Sequence, residues 1–185
     1  QMNKNIFYVS LVSVLLFSSC SPEDPVIPNE EEVITTLNYT LTPEGGGTDI
    51  VLSFQDLDGD GGDAPTITGG NLAANTTYTG SLVLLNEIEN PAEDITEEIK
   101  EEDEEHQFFF SSTLTGLSIA YNDEDADKNP VGLATTVVTT DVGTGNLTVT
   151  LRHEPNKTAT GVSDGDIVNA GGETDIEVAF PVTVQ

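Results

Sequence analysis

From Val33 onward, apolar and polar residues alternate with period two, the pattern of strands with one buried face. In Leu147-Thr-Val-Thr-Leu151 and Ile176-Glu-Val-Ala-Phe180 one side is apolar and the other polar or small. The pattern predicts strands at Val33–Leu41, Thr48–Phe54, Tyr78–Ile88, Gln107–Ser111, Leu117–Tyr121, Leu133–Thr140, Asn146–His153 and Asp175–Val184. Between them lie Glu44-Gly-Gly-Gly47, Gly69-Gly-Asn71, Gly143-Thr-Gly-Asn146 and Gly171-Gly172, residues suited to turns. Short strands with such punctuation predict an all-β fold: an immunoglobulin-like antiparallel β-sandwich with one short acidic helical insertion. A closed barrel is the other architecture consistent with the pattern.

The insertion begins at Asn90-Pro91-Ala92-Glu93, which reads as an N-cap, a proline at the first helical position and an acid at the third. The helix is expected to run to about Glu104, with Ile95 and Ile99 on its inner stripe. Its outer face carries Glu97, Glu98, Glu101, Glu102 and Glu105, with His106 at its end. Like charges four residues apart each cost roughly 0.2–0.5 kcal/mol. Either water solvates this face, or Glu98, Glu101, Glu102, Glu105 and His106 bind a cation or basic partner. Phe108-Phe109-Phe110 follows, where alternation sends Phe109 to one sheet face and its neighbours to the other.

Ahead of the strands, Met2-Asn-Lys-Asn5 gives a short positive start and Ile6 to Phe17 an apolar run too short to span a bilayer comfortably. Leu16-Phe-Ser-Ser-Cys20 resembles the lipobox read by lipoprotein signal peptidase, with Phe17 where that family usually has Leu. The resemblance implies cleavage before Cys20 and lipid attachment to its thiol. Residues 1–19 are then a signal peptide and 20–32 a polar, proline-punctuated tether, leaving 33–185 as the sandwich. Acidic residues directly after the cysteine resemble the signals that send some lipoproteins to the cell surface.

Charge narrows the partners. The chain has 33 acidic and 5 basic residues, a formal net charge of −28. Such a surface repels nucleic acid and anionic headgroups and favours cations or basic protein surfaces. The lone cysteine leaves no intrachain disulfide to form.

Two acidic loops are candidate calcium sites. Asp56-Leu-Asp58-Gly-Asp60-Gly-Gly-Asp63 places carboxylates at alternate positions of a glycine-rich loop, where they can converge on one hard cation. It is similar to the first half of an EF-hand loop, but Ile67 occupies the position of the bidentate Glu. Asp123, Asp125 and Asp127 repeat the alternation, with Lys128 in place of the glycine. Acidic turns between strands would look the same. His106 and His153 are the only histidines, and imidazole plus carboxylate would suit zinc, copper or iron. Each stands alone in its segment. No nucleophile elbow, zinc-protease helix, phosphate loop or cysteine nucleophile is present, so the reading is not that of an enzyme.

In anchor, size and composition the chain resembles the small acidic outer-membrane lipoproteins that accompany TonB-dependent receptors. That resemblance implies a lipid-anchored, non-catalytic accessory at the cell surface, assisting a barrel transporter or capturing its ligand. The alternative is a calcium-stabilised surface adhesion or structural module, and a third reading is a surface hydrolase.

Overall fold

In the computed structural model, residues 32–59 and 62–185 are described. The signal peptide, Cys20 and the tether up to residue 31 lie outside the described residues, as does Asp60.

The alternation in β1 (Thr36–Pro43) buries Leu37, Tyr39 and Leu41 and turns Asn38 and Thr40 outward. β1 sits at the middle of one sheet because both neighbours continue that alternation. On one side is β2 (Ile50–Gln55), on the other β5 (Thr76–Leu85), each antiparallel and each placing an apolar residue opposite an apolar residue. With β3 (Thr66–Thr68), β7 (Leu117–Tyr121) and β8 (Ala134–Thr139), the order is β3-β2-β1-β5-β8-β7. The second sheet runs β4-β10-β9-β6, from β4 (Gly70–Leu72), β10 (Glu173–Val184), β9 (Gly143–His153) and β6 (His106–Ser112). Leu147, Val149 and Leu151 of β9, Val178, Phe180 and Val182 of β10, and Phe108 of β6 close the core against the first sheet. The expected sandwich of immunoglobulin-like type is thus the fold, and the barrel is not formed.

Inside this core the contact between Tyr39 Oη and Thr135 Oγ1, 2.7 Å apart, is tolerated because both groups are satisfied. Gly80 makes room for it, since a Cβ there would lie 2.3 Å from Thr135 Oγ1.

Two local expectations are corrected. Gly69-Gly70-Asn71 is not a turn: Gly70–Leu72 is β4, paired parallel with β10. A Cβ on Gly69 would lie 1.8 Å from the Pro181 carbonyl oxygen, so only glycine lets the two backbones approach. The helix α1 spans Ile95–Glu101, capped by Asp94 through Thr96 N–H, rather than starting at Asn90. Asn86 and Glu93 exchange both backbone hydrogen bonds, and the Asn86 side-chain amide donates to the Glu93 carboxylate. That bridge holds Glu93 extended, so the helix begins only after it. The phenylalanine run alternates as expected. Phe109 faces outward from β6 but is covered by Val162 and Ala170 of the 3₁₀-containing segment after β9, and is buried.

α1 also finishes a sheet edge. β5 outruns β8, and Thr96 Oγ1 accepts from Leu84 N–H and donates to Leu84 C=O, so the hydroxyl takes the place of a strand. Thr96→Val keeps the shape but leaves Leu84 N–H buried without an acceptor. A loss of about 1–3 kcal/mol is expected in chemical denaturation, with Thr96→Ser retaining most of the wild-type stability.

Candidate metal centre

The β6–β9 ladder is antiparallel, and its register sets His106 opposite His153. Both side chains point into the space between the sheets, on the same faces as Phe108 and Leu151. Their ring centroids lie 4.5 Å apart. β10 adds a carboxylate through an irregularity: Thr174 pairs with Arg152 and Ile176 with Leu151, so Asp175 is the extra residue of a bulge. Bulges re-aim side chains, and here the Asp175 side chain is 1% exposed with Oδ1 3.8 Å from His153 Nδ1. The fourth group comes from the other sheet's leading segment. Glu32, four residues before β1, places Oε1 2.9 Å from His106 Nε2 and Oε2 3.5 Å from His153 Nδ1.

The four ligand atoms all lie within 4.8 Å of one another. A tetrahedral ion with bonds of about 2.0–2.1 Å needs ligand atoms about 3.3 Å apart, and contacts of 2.9 Å through Glu32 Oε1, 3.5 Å through Glu32 Oε2 and 3.8 Å through Asp175 Oδ1 lie on either side of that spacing. The surrounding bonds orient the donors. His106 Nδ1 lies 3.1 Å from the Glu102 carbonyl oxygen, to which it donates, and this leaves Nε2 directed at the cluster. Glu32 Oε2 is buried and accepts no hydrogen bond from the described residues, and a cation bound there would satisfy it.

Electrostatics favour charge here. Burial opposes the His106 imidazolium, but the hydrogen bond and charge of Glu32, with the Glu102 carbonyl and Asp175, outweigh it and raise its pKa. Burial likewise opposes the Glu32 carboxylate, yet His106 and the residue's own backbone amide hold its pKa below the usual range. Nearby, burial and then the charges of Glu93 and Glu32 push the Glu98 carboxyl up. A positive ion would relieve that crowding.

The other anticipated sites are arranged differently. In the second acidic loop, Asp123 accepts from the Gly132 and Ala134 amides. Asp125 accepts from the Asp127 and Asn129 amides and from Lys157 Nζ, and Lys128 reaches Glu124 at 2.6 Å. Asp123 and Asp125 thus hold the loop closed, while Asp127 stays exposed. In the first loop, Asp56 Oδ1 accepts from Asp58 and Gly59 N–H, and Asp58 Oδ2 from Asp63 N–H, so these are turn-closing bonds. On α1 and its following turn, Glu101, Glu102 and Glu105 are exposed and Glu98 half-buried. His106 departs from the expectation of a docking face. It opens β6 rather than ending a helix, and none of it is exposed. A cavity of about 650 Å³ between α1, β5 and the loop before β8, floored by Leu82, Val131 and Leu133, has none of the four centre residues in its lining.

Sequence reasoning met both histidines but could not pair them, and it placed Glu32 in the tether and Asp175 at a strand start. The available signal was acid beside histidine at two strand ends, Glu105-His106 and His153-Glu154.

Fold and site together define a β-sandwich protein with a buried histidine–carboxylate centre able to hold a metal ion. No protein-family model matches the chain, and no curated protein matches it. Among solved structures it is similar to domains 4 and 5 of the S-layer protein SbsC. The identity is 14%, covering 79% of this chain and 75% of that chain, with a TM-score of 0.29. Among the described residues no helix is long and apolar enough to cross a membrane.

Proposed function

We propose that this chain is a membrane-tethered, non-catalytic binding module of the cell surface, an accessory to an outer-membrane transporter, whose sandwich is fastened by a divalent transition-metal ion. The convergence of Glu32, His106, His153 and Asp175 carries the metal part of this reading. Two imidazoles and two carboxylates suit zinc, whereas calcium prefers six or more oxygens. Four protein ligands around one tetrahedral ion leave no position for substrate, which is the arrangement of a structural rather than a catalytic zinc. Because Glu32 leads into one sheet and the other three belong to the second, an ion would tie the two together at this end. The leader, Cys20 and the acidic composition support the tether and the surface location.

The test uses the full chain treated with chelator. Calorimetric titration is expected to show uptake of a single equivalent of Zn²⁺, with Ca²⁺ at the same concentration giving no comparable heat. At a hundredfold excess over Kd the ion should add about 2.7 kcal/mol. For a domain of this size that raises Tm by about 5–10 °C. A chain that takes up no Zn²⁺, or that Ca²⁺ stabilises equally, would rule the metal reading out. Co-extraction of the native protein with a barrel partner tests the accessory role separately.

A further inference from the structure

We infer that Glu105 and Glu154 form the port through which the metal ion enters and leaves the buried centre. This rests on the reading of that centre as a metal site. The ligand atoms of Glu105, His153 and Glu154 also lie within 4.8 Å of one another, so His153 belongs to two candidate ligand sets at once. One set is buried. The other is open: Glu105 and Glu154 are exposed, while His153 is 3% exposed.

The register explains the juxtaposition. Glu105 directly precedes His106 and Glu154 directly follows His153, and those histidines face each other across the ladder. The last rung therefore delivers both acids to the same end of the sheet. Glu154 N–H donates to the Glu105 carbonyl at 2.7 Å, which fixes the two chain segments together beyond the histidine pair. Glu154 adopts φ of 48°, an uncommon conformation for a residue with a side chain, as the backbone turns away there.

A hydrated divalent ion cannot reach a buried ligand set in one step, because shedding all its water at once is too costly. Two exposed carboxylates can replace part of the hydration shell first. His153 belongs to both the outer and the inner set, so the two exposed carboxylates stand directly beside the buried centre. Glu101, Glu102, Asp103 and Glu104 lie just ahead of the port in sequence and add to the field that concentrates cations near it.

A port speeds entry and exit alike without setting the final affinity. In the chelator-treated full chain, stopped-flow transfer of Zn²⁺ to the protein from a chromophoric chelator gives the rate of uptake. Transfer back to excess chelator gives the rate of release. In E105Q/E154Q both rates should fall about tenfold at low salt, the scale of electrostatic focusing. Kd should meanwhile stay within about threefold, given one lost surface contact at most. The pair E44Q/D141N removes the same charge elsewhere and should leave both rates near wild type.

Unchanged rates in E105Q/E154Q, with wild-type binding intact, would overturn the port while leaving the centre standing. So would a large loss of affinity with unchanged uptake, which would make the two acids ligands of the final site. Absence of Zn²⁺ binding by the wild-type chain would instead remove the centre itself.

Discussion

His106→Ala should abolish tight zinc binding and, in the chelator-treated protein, lower stability by about 3–5 kcal/mol, the cost of breaking a buried charge pair. The Glu32 side chain is 6% exposed and His106 Nε2 is its 2.9 Å partner. Without the imidazole, that carboxylate stays out of water beside Asp175, also buried. The loss to metal affinity should exceed about a hundredfold, because removing even an outer partner of a ligand costs ten- to a hundredfold. Thermal unfolding with and without Zn²⁺ separates the two effects. The variant's metal-free midpoint falls, and the zinc-induced rise disappears. Should His106→Ala keep the full zinc-induced rise, the centre is elsewhere.

The pair also gives the metal-free protein a pH dependence of known sign. Glu32 is held below its ordinary value, so its contribution is complete above about 4.5 and is lost as pH falls through the lowered pKa. His106 is raised, so its contribution is complete below about 6.5 and is lost as pH rises through the raised pKa. Between those values both act. Zinc needs the imidazole unprotonated, so the zinc-induced rise in Tm should be larger at pH 8 than at pH 6, while the metal-free midpoint moves in the opposite direction.

Much of the fold was legible because alternation is a local signal. The residues Leu117–Tyr121 were read with the bounds of β7, and Ile95 and Ile99 are the buried stripe of α1 as expected. β3 and β4 escaped because three residues rich in Thr or Gly carry no period. The centre escaped for a different reason. Whether His106 meets His153 depends on the pairing and register of two strands distant in sequence, which no local pattern encodes. Asp175 joins them only because a bulge turns it inward, and Glu32, read as the last residue of a spacer, because it lies against the opposing sheet. Each histidine looked solitary along the chain. In the acidic loops, alternating Asp residues of the kind that can converge on a cation also accept backbone amides.

Lys157 shows the same point from beside the second of those loops, and its replacement is the other large effect expected. Its Nζ lies 2.9 Å from Asp125 Oδ2, with the two side chains 4% and 1% exposed, and it also donates to the Asp103 carbonyl. One ammonium thus joins the turn after α1, the loop between β7 and β8, and the segment that follows β9. Lys157→Met fills the space but strands the Asp125 carboxylate, at a cost of about 3–5 kcal/mol. For a domain of this size that lowers Tm by roughly 6–20 °C. Asp125→Asn/Lys157→Met should lose far less than the single variant, because no buried charge is then left alone.

The acid limb gives an independent check. Burial opposes the Asp125 carboxylate, but Lys157 and the Asn129 amide outweigh it, so its pKa is lowered. Its stabilisation in the wild type is therefore complete above its ordinary value of 3.8 and fades as pH falls through the lowered one. In Lys157→Met the sign reverses. A lone buried carboxyl is held up in pKa, so its folded state favours the protonated form. The deficit of the variant should be greatest near neutral pH and shrink on acidification. A deficit that is constant between pH 7 and 3, or a double variant as unstable as the single one, would mean that Lys157 acts through packing of its alkyl chain and not through its charge.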